Sequence, residues 1–285
     1  METTVRGLRK YIVGKTIVSA WTEKNKVIKT PGSTWLKVKR AIEGKKISTV
    51  TRRAKYIVVN LGKEGSIYIH QKMSGHLLVG KWAEIRGRWQ SQQKGPLAED
   101  FKNQHIRMML TLNNGKQVAL SDTRRFATIT YVRDPVEHDH LRKLGPEPLD
   151  ISLTDFYKLF ESKKGNLKPV LMDPRFIVGI GNIYADEILW RSGLHPLSRV
   201  ENLTKYDYNT ILTNTKTVFV RAIKMGGSSV DDYRTSTGEA GEFQNLLNAY
   251  QRTGERCAKR DGGIIQRIMV GQRSTHFCPK HQRRV

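Results

Sequence analysis

The chain has only two cysteines, Cys257 and Cys278, among 285 residues, too few for a disulfide framework. No apolar run approaches the roughly 20 residues of a membrane-spanning helix, and no amphipathic basic helix dominates, so a membrane partner is not expected. Residues 1–20 lack the charged start, apolar stretch and small-residue cleavage site of a signal peptide. The expected compartment is a reducing cytoplasm. Acidic residues are also in short supply: 26 Asp and Glu face 50 Lys and Arg, and the resulting charge of +24 runs along the whole sequence. A polyanion is the partner such a balance suits, and nucleic acid suits it better than a lipid surface. By composition alone, a ribosome-associated or general RNA-binding protein competes evenly with any DNA-directed reading.

What is present is enough apolar residue, 38%, to bury one large core or two smaller ones, and the pattern favours two. Thr3 or Thr4 can cap a helix whose apolar positions Val5, Leu8 and Ile12 recur at helical spacing, with Gly14 as its stop. Segments of β character follow: Lys55–Leu61, Ser66–His70 across the Gly62–Gly65 turn, then Arg107–Leu112 and Gln117–Ser121 across Asn113-Asn114-Gly115. These define a first, antiparallel domain over residues 1–132. Leu144-Gly145-Pro146-Glu147-Pro148-Leu149 reads as part of an ordered linker over 133–150. Helical spacing then appears over 154–162, 168–173, 182–192 and 203–224, with Gly193 and Pro196 ending the third, within a domain drawn as 151–250. Residues 251–285 are polar, basic and rich in glycine, and need a staple such as a metal.

The staple has candidate ligands. Cys257 and Asp261 precede β-like residues Ile264–Val270, and Cys278-Pro279-Lys280-His281 follows. Zinc on a hairpin needs two close ligand pairs, because tetrahedral coordination gathers four side chains across one turn. The second pair, Cys278 and His281, is well formed. The first is degenerate, since Arg260 stands where Cys-x2-Cys would place a cysteine; Asp261 is the best substitute, although carboxylate is a harder donor than thiolate. A metal-free hairpin remains the alternative.

Gly271-Gln272-Arg273-Ser274-Thr275-His276-Phe277-Cys278-Pro279 resembles the zinc-finger hairpin of formamidopyrimidine-DNA glycosylases, as does Gly226-Gly227-Ser228-Ser229 with Phe243-Gln244 upstream. Leu171-Met172-Asp173 with Val178-Gly179-Ile180-Gly181-Asn182-Ile183-Tyr184-Ala185-Asp186-Glu187 is similar to that family's helix–two-turn–helix signature. Arg52-Arg53-Ala54-Lys55-Tyr56, His70-Gln71-Lys72-Met73-Ser74-Gly75 and Asp122-Thr123-Arg124-Arg125-Phe126 resemble its amino-terminal domain. The blocks stand in the family's order and span nearly the whole chain. The resemblance implies an α+β, multidomain architecture: an amino-terminal helix with an antiparallel β-sandwich, then a helix–two-turn–helix domain bearing the zinc-finger hairpin, with DNA in a basic cleft.

It also implies removal of oxidised purines such as 8-oxoguanine and formamidopyrimidines, followed by β- and δ-elimination. The long Gly226–Phe243 segment favours purines over an oxidised-pyrimidine specificity like that of endonuclease VIII, since such a loop can close over a flipped base. Lys55, His70, Asn182 and Arg273 become phosphate or active-site contacts by resemblance, and Lys164 a further DNA-facing amine. Alone, Lys55 reads as a solvated charge on a strand and His70 as a hydrogen-bonded structural residue. Gly179-Ile180-Gly181-Asn182, at a helix start, alone reads as a plain tight turn, though such amides also make a phosphate site. Met73, Arg124 and Phe126 suit an enzyme that everts a nucleotide and must fill the hole. Seen singly, Met73 and Phe126 read as core residues.

One departure stands out. Family members begin Met-Pro-Glu-Leu-Pro-Glu-Val-Glu-Thr-Thr, and the proline amine, exposed after methionine removal, attacks the sugar carbon. This sequence begins Met1-Glu2-Thr3-Thr4-Val5-Arg6-Gly7, with Met1 where the family has valine. The expectation is that the missing residues lie immediately upstream, because a GTG valine codon can also be read as a start. The competing expectation is a catalytically silent protein that binds lesions or abasic sites; residual lyase chemistry from Lys55 or Lys164 is a weaker third. A monomer acting on double-stranded damaged DNA, in the bacterial cytoplasm and associated with the nucleoid, completes what the resemblance implies.

Overall fold

The computed structural model describes residues 1–23, 34–133, 141 and 143–285. Of the linker expected over 133–150, residues 134–140 and 142 lie outside the described residues. The chain divides into two compact units, Met1–Leu141 with Met225–Gln244, and Arg142–Lys224 with Asn245–Val285. The sequence drew the helical domain as 151–250 and the hairpin separately as 251–285. Met225–Gln244 instead clusters with the first unit, and the hairpin with the helices.

The first unit opens on α1 (Glu2–Ile12), which buries Val5, Leu8 and Ile12 on one face, the positions its spacing predicts. Its start differs from the expectation: Met1 is the N-cap residue and no threonine side chain caps the helix. Thr4 is fully buried in the first turn of the helix. Two antiparallel sheets follow. One orders β1 (Ile17–Thr22), β8 (Ile106–Leu112), β9 (Gln117–Ser121) and β5 (His76–Gly80). The other orders β10 (Thr128–Val132), β4 (Ser66–His70), β3 (Tyr56–Asn60) and β2 (Thr49–Arg53). Alternate strand residues point to opposite faces, so Ile57 and Val59, Ile67 and Ile69, Leu110 and Leu112, and Val118 and Leu120 all enter one core, together with the apolar face of α1. Each such side chain contributes about 1.5–3 kcal/mol on burial. Two short helices, α2 (Trp35–Ile42) and α3 (Pro96–Glu99), and a further hairpin, β6 (Trp82–Ile85) with β7 (Arg88–Ser91), were not foreseen.

In the second unit, α4 (Leu153–Glu161) is capped by the Ser152 hydroxyl, which accepts the Asp155 N–H at 3.1 Å. It packs Phe156 and Phe160 against Phe176, with ring centroids 6.4 and 4.7 Å apart. Next come α5 (Leu167–Met172), α6 (Asn182–Ser192) and α7 (Lys205–Lys224). The third helix ends at Gly193, whose φ of +66° suits the left-handed cap. The unit closes on the two-stranded pair β11 (Gln266–Val270) and β12 (Arg273–Phe277). Among the described residues no helix is long and apolar enough to cross a membrane.

Candidate functional site

In the first unit, Met73, Arg124 and Phe126 come together at the surface. Met73 is 65% and Phe126 50% exposed, so neither is the core residue it could have been. The Arg124 guanidinium stacks over the Phe126 ring at 4.7 Å, and its Nη1 reaches the Met73 sulfur at 3.5 Å. An exposed apolar side chain, a planar cation and an aromatic ring thus form one projecting cluster.

The cluster stands on a stiff base. Asp122 is fully buried; its carboxylate accepts the Arg124 N–H at 3.2 Å, the Ala127 N–H at 2.8 Å and the Ser74 hydroxyl. The Ser74 hydroxyl also accepts from Arg124 N. One carboxylate therefore ties the turn bearing Met73 to the turn bearing Arg124 and Phe126. Gly75 makes this approach possible, since a Cβ there would lie 2.5 Å from the Gln71 carbonyl oxygen and 3.0 Å from Ala127 Cβ. Nearby, His70 Nδ1 accepts the Lys72 N–H at 3.0 Å, which fixes its proton on Nε2, and the ring meets Tyr56 edge-on at 4.8 Å. Lys55 is exposed, but it sits on the two-residue turn between β2 and β3 and not on a strand, because Ala54 reverses the chain at φ +54°. On β2, Arg52 Nε donates to Glu2 at 3.1 Å. Burial would raise the Glu2 carboxyl, but the hydrogen bonds and charges of Arg52 and Arg6 hold it below the usual carboxylate range.

Asn182 and Arg273 also come together, in the second unit. Asn182 Nδ2 donates to the Ser274 carbonyl at 2.9 Å, next to the exposed Arg273 at the head of β12. Beneath them lies a buried ion pair the sequence did not reveal: Lys168 Nζ to Asp186 Oδ1 at 2.6 Å, both side chains 1% exposed or less. Lys168 also donates to the Thr275 hydroxyl at 2.8 Å and the Ser274 carbonyl at 3.2 Å, while Asp186 accepts from the His276 backbone N–H and faces its Nδ1. Burial lowers the Lys168 pKa, and Asp186 opposes that shift. On the same helix Glu187 collects the backbone N–H groups of Asn248, Ala249 and Tyr250 within 2.8–3.0 Å. Lys164 stands apart, exposed on the loop between α4 and α5.

Cys257, Asp261, Cys278 and His281 converge, with their ligand atoms all within 4.8 Å of one another. The cluster could hold a metal ion. His281 Nε2 contacts the Trp190 carbonyl at 2.8 Å, which leaves Nδ1 as a donor atom facing Cys257 Sγ and Asp261 Oδ2 at 3.4 and 3.3 Å. Asp261 Oδ1 accepts the Gly263 N–H at 2.7 Å, orienting the carboxylate. Gly263 leaves the room the group needs, as a Cβ there would lie 2.4 Å from Cys278 Sγ. Two sulfurs, one oriented imidazole and one carboxylate fit a tetrahedral site.

Two family models match: the formamidopyrimidine-DNA glycosylase N-terminal domain over residues 1–129 and the formamidopyrimidine-DNA glycosylase H2TH domain over 144–234. The chain is similar to the formamidopyrimidine-DNA glycosylase of Lactiplantibacillus plantarum, 35% identical, covering 99% of this chain and 97% of the relative. It is also similar to that of Bacillus cereus, 34% identical, covering 100% and 98%. Among solved structures, a Lactococcus lactis Fpg variant in complex with Fapy-dG-containing DNA superposes with a TM-score of 0.84 at 30% identity, covering 99% of this chain and 98% of that one. The Lactococcus lactis Fpg complex with abasic-site DNA gives 0.83 at 31% with the same coverage.

Proposed function

The chain belongs to the formamidopyrimidine-DNA glycosylase family, and from that premise we propose that it excises oxidised purines from double-stranded DNA and nicks the resulting abasic site. The observation that carries this reading is the surface cluster of Met73, Arg124 and Phe126 on its Asp122-anchored base. A glycosylase that takes a base out of the stack must fill the void and hold the orphaned partner, and such a wedge can do both. Met73 enters the vacated position, and Arg124 and Phe126 face the partner base. Relatives solved with Fapy-dG-containing and abasic-site DNA support the same substrate class.

Around the wedge, His70 Nε2–H and the Lys55 amine hold phosphates on the amino-terminal side. Asn182 and Arg273 do so from the helical unit, with Lys164 as a further amine. Lys168 and Asp186 act beneath them by fixing Ser274. The Cys257, Asp261, Cys278 and His281 set holds one zinc ion, which staples a hairpin with too little apolar content to stand alone. The proton and sugar chemistry belongs to the family's amino-terminal Pro-Glu segment. The protein works as a monomer on the bacterial chromosome in the cytoplasm.

The test is incubation with duplexes bearing 8-oxoguanine or a formamidopyrimidine, for the 285-residue chain and for one prefixed with Met-Pro-Glu-Leu-Pro-Glu and carrying Met1→Val, followed by borohydride trapping and strand analysis. Base loss with a β,δ-nick by the prefixed chain supports the proposal. A prefixed chain that binds the lesion duplex tightly yet neither traps nor nicks would replace it with the silent lesion binder, a reading the comparisons do not favour.

A further inference from the structure

A line of buried polar groups joins two parts of the first unit, the Met225–Gln244 segment and the wedge. The segment is moored on residues 96–105 and on β5. Arg234 Nε meets Asp100 at 2.5 Å, Lys102 Nζ meets Asp232 at 3.0 Å, and the Ser236 carbonyl accepts the Val79 N–H at 2.8 Å. At the centre of this mooring Asn103, fully buried, donates Nδ2 to the Gly238 carbonyl at 2.9 Å and to the Pro96 carbonyl at 2.7 Å. Two carbonyl partners on one side of the amide fix its orientation, so Oδ1 must face the other way. There it meets His76 Nε2 at 3.0 Å. His76 is itself fully buried, and its Nδ1 meets the Ser74 carbonyl oxygen at 3.2 Å. Ser74 then bonds Asp122, which holds Arg124 and Ala127. From Gly238 to Arg124 the line is carried by contacts within hydrogen-bonding distance.

The line is polarised. Both ring nitrogens of His76 face acceptors, so the neutral ring can satisfy only one of them. Since Oδ1 of Asn103 has no proton to give, the Nε2–H tautomer completes the link to the segment and leaves Nδ1 against Ser74. The Nδ1–H tautomer completes the link to Ser74 and releases Asn103. Contact at the segment and contact at the wedge base thus compete for one proton.

We propose that His76 and Asn103 are positioning residues that couple the seating of the Met225–Gln244 segment to the posture of the Met73–Arg124–Phe126 wedge. When Asn103 holds Gly238, His76 is drawn toward Nε2–H and the Ser74 turn is set by Asp122 alone. When the segment lifts, the ring donates to Ser74 instead and draws the Met73 turn inward. This inference rests on the glycosylase reading, because it assumes that Met73 enters a base step.

The experiment uses the full-length chain and a duplex with a tetrahydrofuran abasic analogue flanked by 2-aminopurine, so that wedge insertion is read by fluorescence without chemistry. Asn103→Ala cuts the line at its centre; Gly238→Ala pushes on it from the segment, since a Cβ there would lie 2.8 Å from Asn103 Nδ2. Gly115→Ala, in a hairpin turn at φ +75° with open space around it, is the control for backbone strain alone. The expected result is a tenfold or greater slowing of the insertion phase in Asn103→Ala and Gly238→Ala, with affinity for undamaged duplex within twofold of the parent and Gly115→Ala unchanged in both. His76→Gln, whose amide can still donate to Asn103, should recover part of the rate relative to His76→Ala. Insertion at the parental rate in both folded line-cutting variants overturns the coupling, as does equal slowing in Gly115→Ala. If Asn103→Ala fails to fold, Gly238→Ala decides alone. Excision of 8-oxoguanine by the parent chain carrying the Pro-Glu prefix is scored separately. A parent that excises but shows uncoupled variants refutes only this inference, whereas a parent with neither insertion signal nor excision removes both.

Discussion

Replacing Lys168 by methionine should cost the protein more than any surface charge substitution, because the change leaves the Asp186 carboxylate buried without its cation. The ammonium and carboxylate lie 2.6 Å apart with side chains 1% exposed or less. Breaking such a pair from one side typically costs about 3–5 kcal/mol, whereas replacing both members by apolar groups of similar volume is often close to neutral. His276 softens the loss on the acid's side, since its N–H and Nδ1 both still contact Asp186. Asp186→Leu, which strands the ammonium with only the Thr275 hydroxyl and Ser274 carbonyl, should therefore be the worse single change. At about 2–4 °C per kcal/mol for domains of 150–250 residues, each single variant should melt roughly 6–20 °C below the parent, and Lys168→Met/Asp186→Leu should recover more than half of that. The assay is thermal and urea unfolding of all four proteins followed by circular dichroism, read as a double-mutant cycle. A single variant within about 1 kcal/mol of the parent would show that the pair is not buried as described. A double variant as unstable as the sum of the singles would show that the two charges do not act as a pair.

Three further outcomes follow from other parts of the molecule. Burial, together with Arg234, holds the His76 pKa below its ordinary 6.5 against the pull of its acceptors, so the unfolded chain protonates first. Its contribution is complete above about pH 6.5 and is lost as pH falls through the folded value, by up to about 1.4 kcal/mol per pH unit. His105 and His195 are lowered by burial in the same sense, so urea midpoints between pH 7 and 5 should fall less steeply in His76→Gln, and an identical slope would exclude His76. Metal analysis of protein purified without added zinc should give about one equivalent for the parent and much less for Cys278→Ser or Gly263→Ala, the second because its Cβ would displace Cys278 Sγ; full occupancy in both variants would move the site elsewhere. Arg273→Ala should weaken duplex binding and reduce the slope of log affinity against log salt by about one unit, and an unchanged slope would take Arg273 off the phosphates.

The sequence exposed what is periodic and what is reactive, and concealed what is merely close in space. Helical spacing located α1 through Val5, Leu8 and Ile12, and the Asn113-Asn114-Gly115 turn located the hairpin of β8 and β9. The threonines misplaced the helix cap, since a threonine near a helix start is only a candidate until its hydroxyl finds a free N–H, and Thr4 lies buried inside the first turn. Lys55 looked like a strand residue because its neighbours favour β structure, yet it is the second residue of a turn whose first, Ala54, takes a positive φ that alanine seldom adopts. The metal cluster was legible despite Arg260 because cysteine, aspartate, cysteine and histidine in that order have few other reasons to gather. Lys168 and Asp186 were not, as charged residues on helices normally face water and nothing local marks these two as buried. His76 and Asn103 were less legible still. Each is an ordinary polar residue, His76 at the start of β5 and Asn103 in a short 3-10 helix 27 positions on, and their meaning rests on a third party, Gly238, another 135 positions along the chain from Asn103. A carbonyl oxygen carries no sequence signature, so any device in which backbone acceptors fix an amide, and the amide then selects a histidine tautomer, can be recognised only once the chain is folded.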